Sequence, residues 1–137
     1  MKGNGFLALL GRVCLSVIFV TSAWSKMSGW SGNVAYIATR HIENPWLVNV
    51  MIGGALVVEL VGALCLLTGY RAAQAALVMA VYLAAVTVIF HNFWAFTGMV
   101  RGANFMHFQK NLGILGGLLM VAALGPGRLA LGKRADA

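Results

Sequence analysis

Acidic side chains are nearly missing from this chain: three Asp or Glu stand in 137 residues, against ten Lys or Arg. Charged residues make up 9% of the sequence, where soluble domains hold about 25%. So few charges cannot cover a water-facing surface, and a disordered chain would need little hydrophobicity. Cysteine occurs only twice, which excludes a disulfide framework. No C-x-x-C, H-E-x-x-H or carboxylate cluster offers a metal or dithiol site. Phosphate-loop, dinucleotide and serine-triad signatures are missing too. What is abundant is apolar: 61% of the residues are hydrophobic. Length fits one domain, expected as a single integral membrane unit over residues 1–137 with the lipid bilayer as its surroundings. The net charge of +7 does not point to nucleic acid, because the basic residues are scattered singly and form no stripe.

A membrane helix needs about 20 mostly apolar residues. Four segments meet or approach this: 6–24, interrupted by Arg12; 47–67, interrupted by Glu59; 72–91, without charge; and 105–124. The last has a short apolar run over 112–124, so a full span must take in His107, Gln109, Lys110 and Asn111. The predicted fold is all-α, an up-down bundle of four transmembrane helices. Gly69-Tyr70-Arg71 reads as a tight turn with glycine as helix C-cap. Glu43-Asn44-Pro45-Trp46 reads as a helix start. The stretches 25–46 and 91–104 read as longer connections on the opposite side. That side collects Trp24, Trp30, Trp46 and Trp94, an interfacial belt.

Lys2, Arg71, Arg128, Lys133 and Arg134 fall on one side; Lys26, Arg40, Arg101 and Lys110 fall on the other. The positive-inside rule therefore places both termini in the cytoplasm. Residues 13–23 resemble the apolar stretch of a signal peptide. Arg12 lies too late for the charged start of one, so the segment is expected to stay.

Ionisable groups within a bilayer face the bundle interior and mark sites of interest. Arg12 lies roughly 10 Å, and Glu59 roughly 12 Å, from the same membrane side at ~1.5 Å per residue. On antiparallel helices this predicts an Arg12–Glu59 ion pair, with a guanidinium fork suited to a carboxylate. Small neighbours agree with a close helix contact: Ala55, Gly62 and Ala63 beside Glu59, Ala8 and Ser16 beside Arg12. Such a pair either locks two helices together or supplies a proton-carrying carboxylate or the floor of a ligand site.

A second polar group gathers toward the tryptophan side: His91, Trp94, His107, Lys110 and Asn111, with Lys26 at the same level. Lys110 shares a stripe with Gly113 and Gly117, a small-residue face that turns it into the bundle. Lys26 and Lys110 are alternatively snorkelling residues beside an ordinary aromatic belt. Ala72, Ala76, Ala80 and Ala84 form another small-residue face, inside the bundle or between protomers of a homo-oligomer. Cys14 and Cys65 lie at different depths and read as unpaired core residues.

Residues 11–19 (Gly-Arg-Val-Cys-Leu-Ser-Val-Ile-Phe) and 22–27 (Ser-Ala-Trp-Ser-Lys-Met) resemble the opening of the DoxX family. Residues 59–69, from Glu-Leu-Val-Gly to Leu-Thr-Gly, resemble its second helix, and Phe90-His91-Asn92-Phe93-Trp94 the end of its third. Residues 109–119 and Gly125-Pro126-Gly127-Arg128-Leu129 resemble its last helix and tail. The likeness spans residues 10–131. It departs at Ala23, where the family usually has Gly, and at Ala130 and Gly132, where Ser and Asp are common. Ala23 bears on packing at the exit of the first helix, the other two on a terminal contact.

The resemblance implies a small bacterial inner-membrane protein of four helices, in a family whose functions are mostly unsettled. It implies a place beside quinone-linked oxidoreductases, as a subunit or accessory with a redox partner protein. No covalently bound cofactor is expected, and quinone is the small molecule the resemblance suggests. On that view His91, Lys110 and Asn111 would donate to its carbonyl oxygens, Trp94 would stack, and Glu59 would be a deeper proton acceptor. The alternative is a small transporter or a scaffold without chemistry. A carboxylate paired with a cation is poorly suited to proton-coupled export.

Overall fold

Asn44 stops one chain direction and starts another. Its side-chain oxygen accepts from the backbone N–H of Trp46 at 3.0 Å and of Leu47 at 3.2 Å, filling two of the donors a helix leaves orphaned at its start. Pro45 follows at the first helical position, where its missing N–H costs nothing. In the computed structural model, which describes residues 5–131, this opens the helix Pro45–Thr68. Gly69 closes that helix at φ +79°, its N–H bonded to Cys65 O at 2.9 Å. A side chain at Gly69 would overlap Ala130 and come within 2.8 Å of Arg12 Nη1. Both the left-handed backbone and the close approach require glycine there.

In chain order the helices are α1 Gly5–Ser28, α2 Trp30–Ala38, α3 Pro45–Thr68, α4 Ala72–Phe90 and α5 Gly98–Leu124, with a 3-10 turn at Phe93–Ala95. No strand occurs among the described residues. α1 packs along α3, α3 along α4, and α4 along α5; α2 lies against α3. Among the described residues, three helical segments are long and apolar enough to cross a membrane, within Gly5–Ser28, Pro45–Thr68 and Ala72–Ala95. α5 is longer than α1, α3 or α4, but its first half carries Arg101, Asn104, His107, Gln109, Lys110 and Asn111.

Several boundaries differ from the sequence expectation. α1 runs on to Ser28 and so carries Lys26. The connection 25–46 contains α2. α5 begins at Gly98, well before Phe105, and the connection before it shrinks to the 3-10 turn and its flanks. Lys2, Lys133 and Arg134, part of the charge bias, and Gly132 lie outside the described residues.

Two apolar clusters hold the helices. The larger joins Phe19, Ala63, Leu66, Ala72, Ala76, Met79, Ala80, Leu83 and Leu118. Lipid offers apolar side chains no worse a home, so tight fit does the holding. Gly62 shows this, since a methyl group there would overlap Met79 Sδ. The Ala72, Ala76 and Ala80 face is buried inside this cluster. Ala23, the departure at the exit of α1, is fully buried. The smaller cluster joins Ile37 of α2 to Val48 and Ile52 of α3, with Phe90 at the end of α4 packed against it. A methyl group at Gly117 would come within 3.1 Å of Leu15, but Gly113 is exposed and one there would meet open space. Gly113 therefore receives no helix, because α5 turns that part of its surface away from α1 and α4. Cys14 is exposed and Cys65 half-buried, both as free thiols, so Cys14 is not a core residue.

Candidate functional site

Side chains on an α-helix lean toward its own N-terminus. On α1, Lys26 therefore leans back into the span, over Ser22 one turn away. On α3, which runs the other way, Glu59 leans toward it. Lys26 Nζ donates to Glu59 Oε1 at 2.8 Å, to Oε2 at 3.1 Å and to Ser22 Oγ at 2.7 Å. These three bonds use all three ammonium protons. Ser22 Oγ donates to Glu59 Oε1 at 3.0 Å, and Tyr82 OH of α4 to the same oxygen at 2.8 Å. The Glu59 side chain is 3% exposed and that of Lys26 20%. A buried carboxylate is tolerable only when paired and hydrogen-bonded, and here α1 and α4 supply the partners of a carboxylate on α3. Oε1 takes three donors and Oε2 one, so Oε2 keeps acceptor capacity.

The expected Arg12–Glu59 pair does not form. Arg12 leans toward the opposite end of α1, away from Glu59. Its Nη1 donates to Leu66 O at 2.6 Å and Leu67 O at 3.2 Å, and its Nη2 to Leu129 O. The last carbonyls of α3 lack helical partners and carry the negative end of its dipole. A buried guanidinium satisfies both needs and ties in the segment after α5. That segment is also held by Leu131 N–H to Thr68 O at 2.8 Å. Ser16, one turn on from Arg12, donates to Ala63 O at 3.2 Å across the same helix pair.

Arg40 repeats the device at the other end. Its Nη2 donates to Phe90 O at 2.6 Å, at the C-terminus of α4, and its Nη1 to Asn92 Oδ1 at 3.1 Å. The guanidinium also stacks over Phe96 at 5.0 Å and Tyr36 at 5.5 Å. These bonds fasten the end of α2 to the end of α4.

Beside them lies the outer polar group. His91 stacks on His107 with ring centroids 4.9 Å apart. Trp94 and Phe93 meet Phe108, and Phe93 meets Phe105. Asn111 donates to Thr87 Oγ1 at 3.0 Å, joining α5 to α4. A shallow recess next to this cluster is lined by Gly98, Arg101, Gly102 and Phe105. His91, Trp94 and Asn111 thus share the α4–α5 end. Lys26 is not among them, being engaged with Glu59 and Ser22. Lys110 is exposed instead of facing the interior, because the stripe it shares with Gly113 is turned outward.

Ser22, Tyr82 and Arg40 enter these sites beyond the sequence expectation. Ser22 was legible as the residue one helical turn before Lys26. Tyr82 and Arg40 carry no local signal, since their partners come from other helices. No group of three or more His, Cys, Asp or Glu that could hold a metal occurs among the described residues.

Apolar helices of membrane-crossing length, joined through a buried ion pair, define a helical membrane protein. The chain matches the DoxX family model over residues 7–92 and belongs to the DoxX family. It is 32% identical to inner membrane protein YphA of Escherichia coli K12, over 93% of this chain and 89% of that protein. It is 28% identical to inner membrane protein YqjF of the same organism, over 91% and 88%. A more distant likeness, 23% identity, joins 97% of this chain to 35% of the ER-derived vesicles protein ERV29 of Saccharomyces cerevisiae. No solved structure matches the chain.

Proposed function

We propose that this chain is a multi-pass inner-membrane protein of four spans, with α5 as the fourth and both termini cytoplasmic. It serves as a quinone-linked subunit or accessory of a membrane oxidoreductase complex, without a redox centre of its own. The observation that carries this is His91: its buried Nδ1 has no hydrogen-bond partner among the described residues, and aromatic rings crowd the same end of α4 and α5. A buried polar atom left single asks for a ligand or a water. A flat ring with carbonyl oxygens suits an aromatic-lined site whose few polar groups fix its orientation. His91 would hold one oxygen, Trp94 would flank the ring, and Asn111 would turn its amide from Thr87. Bound there, a quinone would supply two-electron, two-proton chemistry.

The test is binding of a ring-labelled quinone analogue to purified protein, compared with His91→Ala and Lys110→Ala. Loss of affinity in His91→Ala supports the reading; equal binding in all three contradicts it. Copurification in mild detergent then asks for the redox partner. A scaffold without chemistry is the second reading, favoured by the Lys26–Glu59 pair, which joins α1 to α3 and leaves the carboxylate neutralised.

A further inference from the structure

Three buried side-chain polar atoms have no hydrogen-bond partner among the described residues: Arg12 Nε, Arg40 Nε and His91 Nδ1. Two of them belong to residues that share one corner, at the end of α4. Arg40 is bonded to Phe90 O and Asn92 Oδ1, the residues on either side of His91. His91 interacts with the Asn104 side chain, yet its Nδ1 stays single.

The charge in this corner has one sign. Arg40, just past the end of α2, and His107 and Lys110 of α5 all bear electrostatically on His91. Every acceptor that Arg40 has is neutral: a carbonyl, an amide and a phenol. No carboxylate pairs with Arg40, Arg101 or Lys110 among the described residues, where the ion pair is Lys26–Glu59. Half of a unit charge at the end of α4 offsets part of this. At the Arg40 corner the excess remains.

We infer that this corner is a phosphate-binding site. Arg40 Nε–H and His91 Nδ1–H are the donors, with Lys110 supplying charge at the rim. A tetrahedral oxyanion presents several strong acceptors, so one phosphate can satisfy both orphaned donors while neutralising the corner. Arg40 is suited to this as a rigid fork that is always charged. The level is right for two sources of one chemistry: a lipid headgroup reached from the bilayer, or a soluble phosphate reached from water. The inference shares the His91 Nδ1 donor with the quinone reading and competes with it for that atom, but does not need it, since Arg40 and the excess positive charge belong to this site alone.

The experiment uses the full-length protein, purified without phosphate. Inorganic phosphate is titrated against chloride at matched ionic strength, with thermal midpoint as readout. A second arm compares nanodiscs of phosphatidylcholine with discs containing phosphatidylglycerol. A third arm measures the quinone analogue alone. The site predicts a saturable rise in midpoint in the first or second arm, which names the source. The rise is lost in His91→Phe, which keeps the ring stack but removes the donor, and at least halved in Lys110→Gln, which lies outside the packed interior. A midpoint indifferent to both phosphate and phosphatidylglycerol overturns the inference, as does an undiminished response in His91→Phe. Phosphate binding without quinone binding leaves this site standing and removes the quinone reading; quinone binding without any phosphate response does the reverse.

Discussion

Lys26 and Glu59 are 33 residues apart in sequence, and their charged atoms meet at 2.8 Å between two helices of membrane-crossing length. This pair sits between the two apolar clusters, one anchored by Leu66 and Met79, the other by Val48 and Ile52. It makes a polar layer in an otherwise greasy stack. Ser22 and Tyr82 complete it from α1 and α4.

Arg12 governs the opposite end. Arg12→Lys keeps the charge but loses the fork that reaches carbonyls of both α3 and the segment after α5. A bond to a charged group contributes about 1.5–3 kcal/mol, so the expected loss is about 3 kcal/mol. Hydrogen exchange at the Leu131 amide, bonded to Thr68 O, should quicken at least tenfold. Unchanged protection at Leu131 would separate Arg12 from that segment.

Gly62 and Gly113 should respond oppositely to the same change. Gly62→Ala drives a methyl group into buried Met79, an overpacking that costs about 1–3 kcal/mol. Gly113→Ala adds a methyl group to open space and gains helix propensity, so its midpoint should hold or rise. Thermal unfolding of the two variants in one detergent makes the comparison. Equal losses would contradict the placement of α5.

Arg40 carries the docking of α2. Arg40→Gln removes the charged bonds to Phe90 O and Asn92 while Ile37, Val48 and Ile52 still pack. Amide exchange should rise in Trp30–Ala38 and stay unchanged in Pro45–Thr68. Equal protection across both helices, or a loss in both, would show that α2 is not held this way.

The sequence and the structure agree most where local chemistry decides. Asn44-Pro45 and Gly69 act through their own backbone, so both ends of α3 were readable. The three apolar spans follow from composition, and family membership from short motifs in order. The errors come from direction and from distance. Depth alone put Arg12 opposite Glu59, but leaning side chains send the two apart and bring Lys26 in. Nothing near Arg12 announces that Leu129, 117 residues away, will supply its third acceptor. α2 escaped notice because nine residues are too few to show a periodic face between glycines and polar residues. The start of α5 was invisible because Thr97 makes no side-chain cap and the first turns lack an apolar run.

The central claim is that Glu59 is held by Lys26 and not by Arg12. Two double-mutant cycles in reversible unfolding test it: Lys26→Met with Glu59→Gln, and Arg12→Gln with Glu59→Gln. Removing one partner of a buried pair strands the other, at about 3–5 kcal/mol, so each single change at Lys26 or Glu59 should be costly and the double change much less than their sum. The account predicts a coupling of about 1–3 kcal/mol for Lys26 with Glu59, and additivity within about 0.5 kcal/mol for Arg12 with Glu59. Strong coupling of Arg12 to Glu59, with none for Lys26, would contradict it.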